Sequence, residues 1–333
     1  MPGEAVTHAP AGERPVLVVD DLVVEYPVGR KEKVHAVSGV SFDLFDGETL
    51  GLVGESGCGK SSLGRAVMQL PPPTHGSVRL DDVELTSLTT EALRRTRPRM
   101  QMIFQDPRSS LNPRRKVKDL VAEGLAIWRH DRGTLRSRVE ETLRAVNLNP
   151  GMVWDRRPQE LSGGQCQRVC IARALTLAPR VLICDEPVSQ LDVSVQAQIL
   201  NLLEETKERY ELNMLFIAHD LAVVKNISDR IMVMYLGKVC EVAPANELYR
   251  EAAHPYTKLL LESVPQPGRE RTAVRKQVFA GELASPLDPP SGCRFRTRCP
   301  LATDRCSVEE PALREMASGH RVACHYAEQA QAM

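Results

Sequence analysis

Long apolar runs and an excess of either charge are absent from this sequence. No stretch reaches the roughly eighteen apolar residues that a membrane-spanning helix needs. Residues 1–15 contain no hydrophobic block, so we expect no signal peptide there and predict a disordered N-terminus. Basic and acidic residues both number 43, and a net charge of zero favours neither nucleic acid nor an acidic membrane surface. The chain is predicted to be cytoplasmic, with any membrane attachment supplied by a partner.

The composition is that of an ordinary globular protein, with 42% hydrophobic and 26% charged residues. Its 333 residues are enough for two or three domains. Cysteines number 9, which is high for a cytoplasmic chain, where structural disulfides are rare. Five of them are scattered, at Cys58, Cys166, Cys170, Cys184 and Cys240. The other four cluster near the end and raise the question of a metal site.

Short apolar segments alternate with helical periodicity along the chain. Thr49–Val53, Val181–Cys184 and Met214–Ala218 have the apolar character of buried strands. Helical periods between about residues 109 and 177 interrupt this pattern. The segment after His254 is rich in Pro, Arg and Cys. The predicted fold class is therefore α/β, with an inserted helical subdomain and a small appended C-terminal extension.

The stretch Gly54–Ser61 reads GESGCGKS and fits the phosphate-loop pattern between a predicted strand and a predicted helix. Its glycines let backbone N–H groups converge on phosphate oxygens, and the helix N-terminus adds partial positive charge. Lys60 is expected to contact the β- and γ-phosphates, and Ser61 to offer its hydroxyl to Mg²⁺. A chance glycine-rich turn is the alternative. The residues expected to bind nucleotide here are Gly54, Ser56, Gly57, Cys58, Gly59, Lys60, Ser61 and Ser62.

A second motif, Val181–Glu186, is an apolar strand that ends in two carboxylates. Asp185 is predicted to hold Mg²⁺, and Glu186 to polarise the attacking water as the general base. A solvated acidic pair at a strand end is the alternative. The phosphate loop upstream favours the catalytic interpretation.

The segment Leu161–Gln165 reads LSGGQ and resembles the signature of the ABC transporter family through Ser162, Gly163, Gly164 and Gln165. A serine hydroxyl and glycine N–H groups at the start of a helix form an anion site. The resemblance implies an ATPase with a P-loop NTPase (RecA-like) core and an antiparallel β subdomain. It also implies that two chains face head to tail, so that each signature loop closes the other chain's ATP site.

Two further segments are similar to catalytic elements of that family, in the family's order. Phe104–Pro107 resembles the Q-loop, which implies that Gln105 reaches Mg²⁺ and the attacking water. Ala218–Asp220 resembles the switch region, which implies that His219 touches the γ-phosphate. The implied catalytic residues are Glu186, His219 and Gln105, and the implied Mg²⁺ ligands are Ser61, Gln105 and Asp185.

Further positions resemble non-catalytic elements of the same family, and two residues differ from its usual pattern. Ser189–Asp192 is similar to the D-loop, which implies that Asp192 lies at the dimer interface. Tyr26 resembles the aromatic residue that stacks on adenine. Cys166 stands where the family usually has a long polar residue, and Gln190 where alanine is commoner. Neither departure removes a catalytic group.

The resemblance extends to the ATPases of oligopeptide and dipeptide importers, through His254–Leu260, Ser110–Arg114 and Pro187–Ser194. The details are most similar to the second, F-type ATPase of the pair. The resemblance implies ATP and Mg²⁺ as ligands, and a second ABC ATPase subunit in a head-to-tail heterodimer. It also implies two membrane-spanning permease subunits, an external peptide-binding protein, and a place on the cytoplasmic face of the membrane. Related importers carry nickel, glutathione or other small solutes, so the substrate stays open.

The predicted domain boundaries follow from the motifs and the resemblance. They place a disordered N-terminus at 1–15, the ABC ATPase core at 16–108 and 178–253, the helical signature subdomain at 109–177, and the oligopeptide-importer extension at 254–333.

The C-terminal cluster consists of Cys293, Cys299, Cys306 and Cys324. It contains no C-x-x-C knuckle, which argues against an ordinary zinc ribbon. A proline follows Cys299, as at some iron–sulfur ligands. The importer resemblance points to a [4Fe-4S] cluster on these four thiolates, with zinc or no metal as alternatives.

Soluble ABC ATPases of DNA repair or translation form a different functional class. The repair types carry a long coiled-coil insertion, and the translation types usually carry two cassettes in one chain; this sequence has neither. The zero net charge also argues against a nucleic-acid partner.

Overall fold

The computed structural model describes residues 14–29, 31–128, 132–264 and 284–332. Residues 1–13, most of the segment predicted to be disordered, lie outside the described residues. The strands in the described part are β1 (Pro15–Val28), β2 (Glu32–Phe45), β3 (Thr49–Val53), β4 (His75–Leu80), β5 (Val83–Glu84), β6 (Met100–Ile103), β7 (Val181–Asp185), β8 (Asn213–Ala218), β9 (Arg230–Tyr235), β10 (Lys238–Pro244), β11 (Arg314–Ala317) and β12 (His320–Val322). The helices are α1 (Lys60–Val67), α2 (Thr90–Thr96), α3 (Val117–Val121), α4 (Glu123–Ile127), α5 (Arg132–Ala145), α6 (Pro150–Val153), α7 (Gly163–Leu175), α8 (Val193–Tyr210), α9 (Leu221–Ile227), α10 (Ala245–Glu251), α11 (Pro255–Ser263), α12 (Asp304–Val308) and α13 (Ala327–Gln331), with short 3₁₀ turns at Arg97–Arg99 and Pro158–Glu160.

The first of two compact units comprises the described residues of Met1–Asp43, Thr49–Thr86 and Ala218–Met333. One of its sheets has the strand order β2-β1-β4-β5. The strands β1 and β4 pair antiparallel. In β4, Val78 and Leu80 are buried while Arg79 between them is exposed. This period of two is expected of a strand with one face on a core.

The other sheet of the first unit contains β11, β12, β10, β9 and β3 in that order. All five residues of β3 are buried, and β3 runs parallel to β9. Such continuous burial is typical of parallel strands, which are covered on both faces. The C-terminal strand β12 pairs antiparallel with β10, where Val322 lies opposite Glu241. The segment predicted as an appended extension thus adds two strands to this sheet.

The second unit comprises Leu44–Glu48 and Ser87–Ile217. Its strands β8, β7 and β6 are neighbours in that order and run parallel. Every residue of β7 and of β8 is buried. The helix α7 has a largely buried surface and packs against α3, α5 and α8.

The predicted α/β fold class, with an antiparallel β subdomain and inserted helices, is confirmed. The predicted domain boundaries remain predictions. Within the described ranges, no helix combines the length and the apolarity needed to cross a membrane.

Candidate functional site

The phosphate loop connects β3 to α1, and close backbone packing fixes its path. Gly59 is the N-cap of α1, has a φ of 103°, and therefore lies in the left-handed region that favours glycine. A Cβ on Gly59 would lie 1.9 Å from the Ala36 carbonyl oxygen, and one on Gly54 would lie 2.1 Å from that of Met234. Because neither position has room for a side chain, backbone groups form the loop surface at the start of α1, as an anion site requires.

The ammonium of Lys60 is held against this loop. The residue is only 4% exposed, and its Nζ donates hydrogen bonds to the carbonyl oxygens of Gly54 at 2.7 Å and Glu55 at 3.0 Å. These neutral carbonyls orient the ammonium without cancelling its charge. A positive charge is therefore placed beside the N-terminus of α1, where it favours phosphate.

The other predicted loop residues differ in exposure. Ser56 and Gly57 are exposed, whereas Cys58 is buried and its carbonyl oxygen accepts a hydrogen bond from the Gly237 N–H at 2.8 Å. Ser61 and Ser62 are half-buried in the first turn of α1. The position of Ser61 at the start of the helix is the one that the phosphate-loop pattern assigns to a Mg²⁺ ligand.

In the second unit, the acidic motif lies at the end of β7. Asp185 is 1% exposed. Glu186 has a φ of 48°, and its backbone N–H donates to the Ile217 carbonyl oxygen at 2.9 Å. A residue other than glycine is uncommon in this left-handed region, and such strain is often found at functional sites.

The structure brings together two residues predicted to act in hydrolysis. Gln105 Nε2 donates a hydrogen bond to Glu186 Oε2 at 3.1 Å. Gln105 is exposed and Glu186 is half-buried. The amide orients one carboxylate oxygen, while a carboxylate has lone pairs left to accept from water.

The signature segment forms the N-terminus of α7. Ser162 and Gln165 make a reciprocal capping box, in which the Gln165 N–H donates to Ser162 Oγ at 3.3 Å and the Ser162 N–H donates to Gln165 Oε1 at 3.0 Å. Because Ser162 Oγ accepts in this cap, its own O–H group can still donate to an anion. Gly164 allows close packing of α7 on α8, since a Cβ there would lie 2.7 Å from Val195 Cγ1. A Cβ on Gly163 would lie 3.5 Å from Leu191 Cδ2, which is an ordinary van der Waals contact.

Three predicted residues lie at the ends of elements or on a strand. His219 is exposed and directly follows β8, where the side chain of Asp220 caps α9 by accepting from the Ala222 N–H at 2.8 Å. Asp192 is the exposed N-cap of α8. Tyr26 is half-buried on β1.

The two departures from the family pattern occupy different environments. Cys166 is fully buried in α7, and its Sγ donates to the Pro158 carbonyl oxygen at 3.4 Å. A long polar side chain at such a position would need buried partners, which explains why a small apolar residue suits it. Gln190 is exposed.

Three residues at the phosphate loop were not predicted as site residues. Glu55 occupies an unspecified position of the motif, and its carboxylate accepts from Arg298 while its backbone N–H donates to the Tyr256 hydroxyl. Tyr256 belongs to a segment with family resemblance, but no local pattern indicates this contact. Sequence separations of 243 and 201 residues placed both partners beyond the reach of motif analysis.

The predicted [4Fe-4S] cluster is contradicted. Among the described residues, no group of three or more His, Cys, Asp or Glu side chains is arranged to hold a metal ion. Burial raises the pKa of Cys293, that of Cys299 to about 12 and that of Cys324 to about 11.

Two of these cysteines make contacts within the protein. Cys306 is buried, and its Sγ lies 3.8 Å from the Thr303 hydroxyl. Cys324 Sγ accepts from the Tyr326 N–H at 3.4 Å and packs beside Val322 and Ala327. The described residues therefore support neither an iron–sulfur cluster nor zinc at these cysteines, which are free and partly or fully buried.

Comparison with protein families agrees with the fold and with the loop. The family model "ABC transporter" matches residues 37–189, and the model "Oligopeptide/dipeptide transporter, C-terminal region" matches residues 240–306. Among solved structures, CbiO1 from Clostridium perfringens, part of an ABC transporter complex, is similar with a TM-score of 0.64 and 27% identity, over 71% of this chain and 91% of that one. A dimeric ATP-binding cassette in a post-hydrolysis state bound to ADP and Pi is similar with a TM-score of 0.63 and 27% identity, over 69% and 98%. Fold and loop thus define an ATPase of the ABC class.

Curated relatives narrow the class to one family. YkfD of Bacillus subtilis (strain 168), a putative oligopeptide transport ATP-binding protein, is 50% identical over 93% of this chain and 95% of its own length. The oligopeptide transport ATP-binding protein AppF of the same organism is 51% identical over 88% of this chain and 89% of its own length. The oligopeptide transport ATP-binding protein OppF of Salmonella typhimurium (strain LT2) is 49% identical over 87% of this chain and 87% of its own length. The chain belongs to the family of oligopeptide transport ATP-binding proteins. The predicted similarity to the F-type ATPase is confirmed.

Proposed function

We propose that this chain is the ATP-hydrolysing subunit of an ABC importer that carries dipeptides and oligopeptides across the cytoplasmic membrane. The observation that carries the proposal is the presence in one chain of an ABC ATPase segment and the C-terminal region of oligopeptide/dipeptide transporters. Nearly full-length similarity to oligopeptide transport ATP-binding proteins supports it.

In this proposal, Lys60 and the N-terminus of α1 bind the phosphates of ATP, and Tyr26 stacks on adenine. The hydroxyl of Ser61 and the carboxylate of Asp185 are oxygen donors of the kind that Mg²⁺ prefers, with Gln105 as a further donor. The ion, when bound with ATP, neutralises the charge that develops on the transferred phosphate.

Glu186 is proposed to accept a proton from the attacking water. The hydrogen bond from Gln105 supports this role, because it holds one carboxylate oxygen in a defined direction. His219 is proposed to contact the γ-phosphate from the exposed end of β8.

The proposed partner in hydrolysis is a second ABC ATPase, arranged head to tail as a heterodimer. Ser162 is exposed and lies at the N-terminus of α7, where its hydroxyl and the backbone N–H groups can bind a phosphate of that partner's ATP. Asp192 and Val193 are both exposed, Val193 by 82%, so this segment is accessible to a partner.

Two membrane-spanning permease subunits and an external peptide-binding protein complete the proposed importer, with this chain at the cytoplasmic face. Ile127 and Met152 in the helical part are 54% and 64% exposed. Apolar side chains of this kind are available to contact a permease.

The test is uptake of labelled di- and oligopeptides by cells that express the transporter with this chain or its variants. Glu186→Gln should abolish uptake, whereas Glu204→Gln, which changes an exposed carboxylate on α8, should not. Uptake of nickel or glutathione in place of peptides would assign the transporter to another solute. The transport role would be refuted if the protein bound ribosomes in an RNase-sensitive manner, hydrolysed ATP there and supported no uptake.

A further inference from the structure

The C-terminal segment is joined to the phosphate loop through one loop residue, Glu55. The guanidinium of Arg298 donates to both carboxylate oxygens of Glu55, at 2.7 and 3.0 Å. The backbone N–H of Glu55 donates to the hydroxyl oxygen of Tyr256 at 2.8 Å. Side chain and backbone of this residue are therefore both held by residues far along the chain.

Arg298 is preorganised for this contact by an aromatic cluster. Its side chain is 9% exposed, and its guanidinium carbon lies 5.8 Å from the ring centroids of both Tyr235 and Phe295. The Tyr235 and Tyr256 rings are 4.7 Å apart at an angle of 63°. A bidentate, partly buried pair on such a support differs from a surface ion pair, which contributes little.

A second contact reaches the loop through the turn between β9 and β10. Arg294 donates a hydrogen bond to the Leu236 carbonyl oxygen, and the Gly237 N–H donates to that of Cys58 at 2.8 Å. The segment that carries Arg294 and Arg298 is thus connected to the loop on either side of Gly57, directly at Glu55 and through the β9–β10 turn at Cys58.

The position of Glu55 matters for ATP binding in two ways. Its backbone carbonyl accepts from Lys60 Nζ, so a shift of Glu55 also moves the ammonium that faces the phosphates. Its carboxylate is a negative charge within a loop that binds a polyanion, and like charges at short range repel. Arg298 neutralises this carboxylate and fixes its direction.

We propose that Arg298 and Tyr256 are positioning residues that hold the phosphate loop in its ATP-binding conformation. Both lie within residues 240–306, the part that matches the oligopeptide/dipeptide transporter C-terminal region. This C-terminal region therefore sets the affinity of the ATP site. The inference rests on the proposed function, in which Gly54–Ser61 binds ATP.

The test uses the purified full chain and titrates it with a fluorescent ATP analogue, then measures KM and kcat for ATP in the assembled transporter. Arg298→Ala should raise Kd and KM roughly tenfold, because hydrogen bonds to a charged group are lost, while kcat stays within about twofold. Arg298→Lys should restore part of the affinity, since lysine supplies the charge without the bidentate geometry. Tyr256→Phe should raise Kd roughly threefold. The matched control is Arg296→Ala, a neighbouring arginine that bonds Ser291 instead of the loop.

A double variant tests whether the pair acts through Glu55. In a Glu55→Ala background, Arg298→Ala should weaken ATP binding no further. A Kd for Arg298→Ala equal to that of Arg296→Ala, or a lowered Tm with an unchanged Kd, would overturn the inference. If Arg298→Ala does not fold, wild-type affinity in Arg298→Lys and Tyr256→Phe would overturn it equally. Lys60→Ala distinguishes a failure of this inference from a failure of the proposed ATP site. Normal ATP binding by that variant would refute the ATP site itself.

Discussion

Glu241 on β10 is a fully buried carboxylate on which several elements of the first unit depend. Its Oε1 accepts from the Ala253 N–H and from His320 Nε2, both at 2.7 Å, and its Oε2 accepts from the His254 N–H at 3.0 Å. His254 Nδ1 in turn accepts from the Tyr256 N–H and caps α11. We predict that Glu241→Gln destabilises the protein strongly, although it preserves the shape of the side chain.

The expected loss follows from these contacts. Hydrogen bonds to a charged group contribute about 1.5–3 kcal/mol each. Glutamine replaces one acceptor oxygen by an NH₂ group, which would face an N–H donor and leave it without an acceptor. Removing one member of a buried charged pair costs about 3–5 kcal/mol, and we expect a decrease of this size in the free energy of unfolding near pH 6.5.

The histidines add a pH dependence of known sign. The hydrogen bond to Glu241 raises the pKa of His320, and the nearby Glu247 and Glu251 act in the same direction. The stabilisation from protonated His320 is therefore complete below the unfolded-state pKa of about 6.5 and is lost as the pH rises through the folded-state value. Burial lowers the pKa of His254 to about 4, so stability also falls as the pH drops from about 6.5 toward 4.

The assay is urea denaturation of the wild type and variants between pH 5 and pH 9, with the free energy of unfolding taken from the midpoint and slope. In Glu241→Gln, the decline of stability above pH 6.5 should flatten, because His320 no longer has a charged partner. The control is Glu328→Gln, which breaks an exposed pair with Arg314 and should change the free energy of unfolding little, because solvent screens such a pair. Equal stability losses for the two variants, or an unchanged pH slope in Glu241→Gln, would refute the reasoning.

The remaining predictions concern ATP hydrolysis. Lys60→Ala should abolish hydrolysis and greatly weaken ATP binding, and near-normal ATPase activity of the complex would contradict its role. Glu186→Gln should keep ATP binding and slow turnover by about a hundredfold or more, which single-turnover kinetics would measure; a wild-type rate would exclude it as the base. The chain alone should hydrolyse ATP poorly and in a concentration-dependent manner, because each site lacks the partner's signature loop. Full activity of a monomer, established by ultracentrifugation alongside the assay, would argue against the head-to-tail arrangement.

Much of the nucleotide-binding apparatus could be recognised from the sequence because its determinants are local. The path of the phosphate loop depends on glycines with no room for a Cβ, such as Gly59. The start of α7 depends on a capping box between Ser162 and Gln165, only three residues apart. Hydrogen bonds and steric limits that act over a few residues are written in contiguous motifs, and the α/β class follows from periodicity in the same way.

The cysteine cluster shows where that reasoning failed. Spacing in the sequence suggested four converging thiolates, but ligation depends on side-chain directions. In the described structure, the cysteines form no metal-holding group. Side-chain directions cannot be read from the intervals between residues.

The sequence by itself indicated the ATPase class, the glycine-rich loop between a strand and a helix, and the helix that follows the signature segment. Only the tertiary structure placed Arg298 against Glu55, 243 residues away, and His320 against Glu241, 79 residues away. The tertiary structure also shows that the backbone of Glu186 lies in the left-handed region and that its carboxylate accepts a hydrogen bond from Gln105. The His320–Glu241 pair depends on strand register, through the pairing of β12 with β10. The free energy of burying two distant segments together is not encoded in either segment alone.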